Sequence, residues 1–197
     1  TTGHLDCNAA AADARLTTSR LEQLSQVARI AAELGGSVLM QHYGRLVSIE
    51  QKARAGDLVT NADLAAEKAV LASLTEATPE IPVLAEESGA LGDVSDLCWC
   101  VDPLDGTTNF AHGYPFFATS IGLLWRGLPI LGAVAVPFLQ EVFWCCPGSG
   151  AFLNDQPIQV SSCSSLDDSL LVTGFAYERR ERLDNNYAEF CRLTHRT

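Results

Sequence analysis

The 197-residue sequence lacks any apolar run long enough to cross a bilayer. Its longest near-continuous apolar stretch, residues 128–139, has 12 residues and includes two prolines, whereas a spanning helix needs about 20. The N-terminal residues also lack a basic segment followed by an apolar one, which is the pattern of a secretory signal. These absences predict a cytoplasmic protein without a membrane partner.

Basic residues are scarce. The chain has 13 Lys and Arg against 24 Asp and Glu, a net charge of −11. Because binding to phosphate backbones depends on clustered positive charge, no nucleic acid partner is expected. The excess of acidic over basic residues is concentrated in residues 57–105, which hold eleven acids and one base, Lys68. A solvated acidic face would explain such a segment, and so would a divalent cation site.

The seven cysteines lack the even number of a disulfide framework and the CxxC spacing of a zinc site. They stand at positions 7, 98, 100, 145, 146, 163 and 191. Four of them lie in apolar, strand-like segments around Trp99 and Trp144. Buried reduced thiols are the expected state.

The first 80 residues carry two helical patterns. Residues 1–18 are Ala-rich without clear periodicity and predict an irregular lead-in. A capping box at Ser19–Glu22 begins a helix that stops at Gly44, and a second box at Thr60–Asp63 begins another through about Thr75. Leu64, Lys68 and Leu71 stand at helical spacing in that second helix.

From residue 81 short apolar segments alternate with turn residues, which predicts a meander and hence an antiparallel sheet. A helix is expected from Asn185 onward. The patterns predict an α+β protein whose last residues stop inside a continuing element. The expected strands are Ile81–Ala85, Leu97–Val101, Ala118–Trp125, Ile130–Val136, Glu141–Cys146 and Leu170–Thr173.

Oxygen ligands for a cation are concentrated after the expected strand at 97–101. A strand that ends at Asp102 and turns at Pro103 would bring the carboxylates of Asp102 and Asp105 to one side. The Leu104 carbonyl would then lie between them. Such hard oxygen donors suit Mg²⁺ or a similar ion.

The next residues suit a phosphate group. Gly106 lets the backbone pass close to a ligand, and Thr107 and Thr108 can begin a helix whose N–H groups attract an anion. A cation site beside such a helix start is the arrangement for metal-assisted attack on a phosphate ester. Each residue alone also fits an ordinary turn or cap, but together with Glu86 at a neighbouring strand end they favour a site.

Three motifs resemble the inositol monophosphatase family. The string Asp-Pro-Leu-Asp-Gly-Thr-Thr-Asn-Phe at 102–110 resembles its metal-binding signature. Residues 56–63 are similar to the start of its second helix, and residues 85–89 to the strand end with its metal-binding glutamate. The resemblance covers most of the chain. It implies the sugar-phosphatase fold, a layered αβαβα sandwich with a largely antiparallel N-terminal sheet, here incomplete at the C-terminus. Residues 19–165 would form its N-terminal metal-binding domain, and residues 166–197 the start of its C-terminal α/β part.

The resemblance assigns metal ligands by position. Glu86, Asp102 and the Leu104 carbonyl would hold a first Mg²⁺, with Mn²⁺ as a substitute, and this ion would activate the attacking water. Asp102 and Asp105 would share a second ion. Asp105 would also contact hydroxyl groups of the substrate.

The resemblance also assigns the groups that handle the proton and the phosphate. Thr107, oriented by Asp63, would help to deprotonate the water, and the N–H groups of Gly106 and Thr107 would hold the phosphate. Supporting positions would be Asp57, Thr60 and Thr108.

The implied activity is Mg²⁺-dependent, lithium-sensitive hydrolysis of a small phosphate monoester by a homodimer, without a phosphoenzyme. The first expected substrate is myo-inositol 1-phosphate, and histidinol phosphate and fructose 1,6-bisphosphate are rivals. A non-catalytic binding or assembly partner is a rival of another class. The family's later Trp-Asp motif, whose Asp completes the second metal site, does not occur in these residues, so an inactive fragment is also expected.

Overall fold

The computed structural model describes residues 6–51, 58–94, 96–175 and 182–195. None of the helices in these ranges is long and apolar enough to cross a membrane. The helices are α1 (Cys7–Asp13), α2 (Thr18–His42), α3 (Asn61–Ala77), α4 (Thr107–Ala111) and α5 (Tyr187–Thr194). The strands are β1 (Ile49–Gln51), β2 (Leu58–Thr60), β3 (Val83–Ala85), β4 (Gly89–Leu91), β5 (Leu97–Asp105), β6 (Ala118–Trp125), β7 (Leu128–Val136), β8 (Glu141–Cys146), β9 (Gly150–Leu153) and β10 (Gln156–Ile158).

Eight of the strands form one sheet, in the order β10-β9-β8-β7-β6-β5-β3-β4. Strands β5 to β10 pair antiparallel with their sequence neighbours, so the predicted meander and the α+β fold class are confirmed. β3 instead pairs parallel with β5. Because the two strands run in the same direction with Ala85 beside Val101, the residue that follows β3, Glu86, lies beside Asp102 of β5.

Helices α2 and α3 pack together, and their buried faces contribute to the core along with the strands. The core includes Leu24, Val70 and Trp99, each fully buried. Small residues on α2 allow a close approach to the sheet. A Cβ at Gly35 would lie 2.7 Å from the methyl carbon of Thr119 on β6, so even Ala at this position would force the two elements apart.

The N-terminal residues are more regular than the composition suggests. The expected irregular lead-in is wrong for Cys7–Asp13, which forms α1. The Asp6 side chain accepts hydrogen bonds from the N–H groups of Asn8 and Ala9. Helix α2 is capped by Thr17 rather than Ser19. A run of alanines has little hydrophobic periodicity. The sequence pattern therefore could not predict that residues of α1 would be buried.

The capping box at Thr60–Asp63 is confirmed at the start of α3, and Leu71 packs against the core, but Leu64 and Lys68 do not face inward. Leu64 is 57% exposed and Lys68 is also exposed. The buried residues are Ala62, Asp63, Ala66, Glu67, Val70 and Leu74. Two acids therefore face inward, which hydrophobic periodicity alone cannot predict, because their burial depends on partners in other elements.

Some strands begin or end at other residues than expected, and one expected strand does not form. β3 begins only after Pro82, which has no N–H for a ladder. β5 continues past Pro103 to Asp105, with an irregular register between Asp102 and Asp105. The expected strand at Leu170–Thr173 does not form. No neighbouring strand pairs with it within the described residues.

The chain divides into two compact units. The first, Thr1–Glu50 with Val59–Ile158, holds the eight-stranded sheet and helices α1 to α4. The second comprises Gln51–Leu58 and Gln159–Thr197. In its described part, the ring of Phe175 packs 5.3 Å from that of Tyr187 and 5.6 Å from that of Phe190, both on α5.

Candidate active site

Three carboxylates gather where β3 and β5 end. The register pairs Ala85 with Val101, so the following residues, Glu86 and Asp102, are adjacent across the pair. The Glu86 N–H donates to the Val101 carbonyl at 3.0 Å, and the carboxyl groups of Glu86 and Asp102 share a hydrogen bond. Asp105 lies close enough to act on Asp102 electrostatically. The structure thus places Glu86 and Asp102 side by side, with Asp105 within electrostatic range of Asp102.

The contact between two carboxyl groups has an electrostatic consequence. Burial raises the pKa of Asp102 to about 7, and the neighbouring Glu86 and Asp105 carboxylates contribute to the rise. Two carboxylates in contact cannot both remain charged unless a proton or a cation lies between them. The pair is therefore a place where a cation can replace a proton.

The backbone at Leu104 completes an oxygen-rich arrangement. Its N–H donates to Asp102 Oδ1 at 3.1 Å, and its carbonyl oxygen lies 3.0 Å from the Thr107 hydroxyl, whose single proton can point to this carbonyl or to Asp63. The described residues contain no group of three or more His, Cys, Asp or Glu side chains arranged to hold an ion. The available donors are instead a contacting carboxyl pair and a nearby carbonyl, and this hard donor chemistry fits Mg²⁺ or Mn²⁺.

A second set of hydrogen bonds connects α3 to α4. Thr107 Oγ1 donates to Asp63 Oδ1 at 3.2 Å. Asp63 Oδ2 accepts from the backbone N–H of Thr60 at 2.8 Å and from its hydroxyl at 2.6 Å. Burial raises the pKa of Asp63, while the bonds from Thr60 and Thr107 oppose this rise. Asp63 therefore both completes the capping box of its own helix and is the partner of Thr107.

The turn between β5 and α4 requires glycine. Gly106 has φ 87° and is the N-cap of α4, and a Cβ there would lie 3.2 Å from the Phe116 carbonyl oxygen. The left-handed conformation and the close approach both disfavour a side chain. Thr108 is exposed, and its carbonyl accepts the His112 N–H at 3.2 Å. Asp57 lies outside the described residues.

Sequence reasoning missed two residues that hold this region. Thr119 is fully buried and donates its hydroxyl to the Pro103 carbonyl at 2.9 Å. Glu67 is 3% exposed and accepts the Glu87 N–H at 2.9 Å and the Ser88 hydroxyl. The one available signal was the spacing of Glu67, four residues after Asp63 and hence on the same helical face.

The raised pKa of Asp102 predicts how pH acts on the metal-free protein. The folded state holds this proton up to about pH 7, whereas the ordinary value is 3.8. The associated stability is therefore complete below the unfolded pKa and is lost as the pH rises through the folded one. In EDTA, Asp102→Asn should become the more stable protein between about pH 4 and about pH 7. Urea midpoints of the two proteins across this range test the prediction, and a constant difference would contradict it.

Comparison with known proteins identifies a family for this chain. The model of the inositol monophosphatase family matches residues 20–197. The chain is 51% identical over 180 residues to "Inositol-1-monophosphatase" of Synechocystis, covering 91% of this chain and 63% of that protein. It is 37% identical over 162 residues to "Fructose-1,6-bisphosphatase/inositol-1-monophosphatase" of Aquifex aeolicus, covering 81% of this chain and 61% of that protein.

The fold comparison gives the same result. A solved structure of inositol monophosphatase from Anabaena superposes with a TM-score of 0.80 at 47% identity, over 90% of this chain and 65% of that one. The chain thus spans less than two thirds of the length of these proteins. The match over residues 20–197 and the shared fold show that the chain belongs to the inositol monophosphatase family.

Proposed function

We propose that this chain forms the metal-binding part of a Mg²⁺-dependent phosphatase that hydrolyses a small phosphate monoester, with myo-inositol 1-phosphate as the preferred substrate. The observation that carries the proposal is the contact between the carboxyl groups of Glu86 and Asp102 beside the hydrogen bond from Thr107 to Asp63. A cation held by Glu86 and Asp102 would lie next to Thr107 and Asp63. The name of the Synechocystis relative supports the choice of substrate.

The metal ligands in this proposal come from two strand ends and one carbonyl. Glu86, Asp102 and the Leu104 carbonyl would hold one Mg²⁺, and Asp102 and Asp105 a second. When bound, such ions supply a water of lowered pKa and stabilise negative charge on the leaving oxygen. Mn²⁺ has similar ligand preferences and would substitute.

Proton transfer would use Thr107 and Asp63. The Thr107 hydroxyl donates its proton toward Asp63 Oδ1, which leaves an oxygen lone pair to accept a proton from the attacking water. The Thr107 proton would then move to Asp63, whose raised pKa favours its acceptance. The N–H groups of Gly106 and Thr107 would hold phosphate oxygens, because first-turn N–H groups have no partner inside the helix. Asp105 would contact substrate hydroxyls.

A second candidate substrate is fructose 1,6-bisphosphate, because the Aquifex relative carries both activities in its name. Histidinol phosphate belongs in the same comparison. Supporting roles of Thr60 and Thr108, inhibition by Li⁺, a homodimer and a cytoplasmic location stay predictions, and so does the alternative of a non-catalytic partner.

The test is phosphate release from these three substrates with Mg²⁺ or with EDTA. The chain is compared with a chimera in which it replaces the matching segment of the Synechocystis relative, because the chain spans 63% of that protein. We expect Mg²⁺-dependent release by the chimera, greatest with inositol 1-phosphate, and inhibition by Li⁺. A folded chimera that binds Mg²⁺ and releases no phosphate would contradict the catalytic proposal and favour the non-catalytic alternative.

A further inference from the structure

Glu67 is a buried acid that the proposed chemistry does not use. Its side chain projects from the middle of α3 and is 3% exposed. A buried carboxylate is costly unless hydrogen bonds satisfy it. Both oxygens of Glu67 have donors: Oε2 accepts the Glu87 N–H at 2.9 Å, and Oε1 accepts the Ser88 hydroxyl.

These two donors belong to the turn that contains Glu86. Residues 86–88 connect β3 to β4, and the side chains of Glu86 and Ser88 are exposed. The preceding bond, from the Glu86 N–H to the Val101 carbonyl, holds only the start of the turn. Glu67 holds the two residues after it, so the backbone at Glu86 is held on both sides.

The same helix also holds the other part of the site. Asp63 lies four residues before Glu67, one helical turn away, and accepts the Thr107 hydroxyl. Both acids are buried. Through these two side chains, α3 sets the position of the turn at Glu86 relative to Thr107.

We propose that Glu67 is a positioning residue for the metal site, holding the 86–88 turn so that Glu86 faces Asp102. This inference rests on the proposed function, since it assumes that Glu86 is a ligand. Groups that orient a ligand commonly change metal affinity by about 10- to 100-fold when they are removed. The role is geometric: what Glu67 supplies is a hydrogen-bond acceptor for the Glu87 N–H.

The test measures Mn²⁺ affinity of the 197-residue chain, from free Mn²⁺ by electron paramagnetic resonance. Glu67→Leu removes both acceptors and should weaken binding about 10- to 100-fold. Glu67→Gln keeps an oxygen for the Glu87 N–H and an amide that can donate to Ser88, so its affinity should stay within about threefold of the wild type. Ser88→Ala removes one of the two bonds to Glu67 and should weaken binding by about three- to tenfold.

Val70→Ala is the matched control. Val70 is fully buried on the same helix, so its truncation destabilises the core without touching the turn, and Mn²⁺ affinity should not change. If Glu67→Leu does not fold, Ser88→Ala still decides the matter. Wild-type affinity in Ser88→Ala, or in a folded Glu67→Leu, would overturn the inference alone, as would equal losses in Glu67→Gln and Glu67→Leu. A wild-type chain that binds no Mn²⁺ would overturn the proposed function as well.

Discussion

Asp102→Asn should abolish most of the stabilisation that Mg²⁺ gives to this protein. Asp102 is the residue proposed to contact both ions, and it bonds to Glu86. At a Mg²⁺ concentration about 100 times its dissociation constant, binding to the folded state adds about 2.7 kcal/mol. For a chain of this size that raises Tm by about 5 to 10 °C. If the substitution weakens binding about 100-fold, the same concentration moves Tm by only about 1 °C.

The measurement is a thermal melt with Mg²⁺ and with EDTA. Glu76→Gln is the charge-matched control, since it removes one acid from the same acidic segment at an exposed position on α3. It should keep the full metal-dependent shift. In EDTA near neutral pH, Asp102→Asn should be at least as stable as the wild type, because the amide needs no proton beside Glu86. An undiminished Mg²⁺-dependent rise in Tm in Asp102→Asn would contradict the assignment of Asp102 as a ligand.

Thr107→Ala should lower kcat by about 10²-fold or more in the active chimera, which is the usual scale for lost proton-transfer help. The substitution removes the hydroxyl that bonds to Asp63 Oδ1 and to the Leu104 carbonyl. It leaves Glu86, Asp102 and Asp105 in place. Metal affinity should therefore change much less than kcat, which separates loss of chemistry from loss of the ion.

Thr107→Ser is the matched control for this loss. Serine keeps a hydroxyl that can reach Asp63, so most of the activity should return, whereas Ala removes it. The assays are kcat from phosphate release and affinity from Mn²⁺ titration, both on the same preparations. Equal kcat in Thr107→Ala and the wild type would mean that Thr107 serves only the start of α4.

Much of the local structure follows from neighbouring residues. The cap at Thr60–Asp63 depends on hydrogen bonds within four residues, so the sequence predicts it correctly. The bounds of β6 and β8 agree with the expected strands, because alternation and turns are local patterns. The carboxylates and the helix start within residues 102–110 could also be predicted, because they too are local features of the sequence.

Other features depend on which strands become neighbours. Glu86 and Asp102 meet only because β3 pairs parallel with β5, a choice that no pattern within either strand specifies. The inward orientation of Glu67 depends on donors at Glu87 and Ser88, about 20 residues later in the chain. Burying an acid is unfavourable until such partners are present. The sequence thus determined the elements and the candidate ligands, and tertiary contacts decided which ligands meet and what holds them.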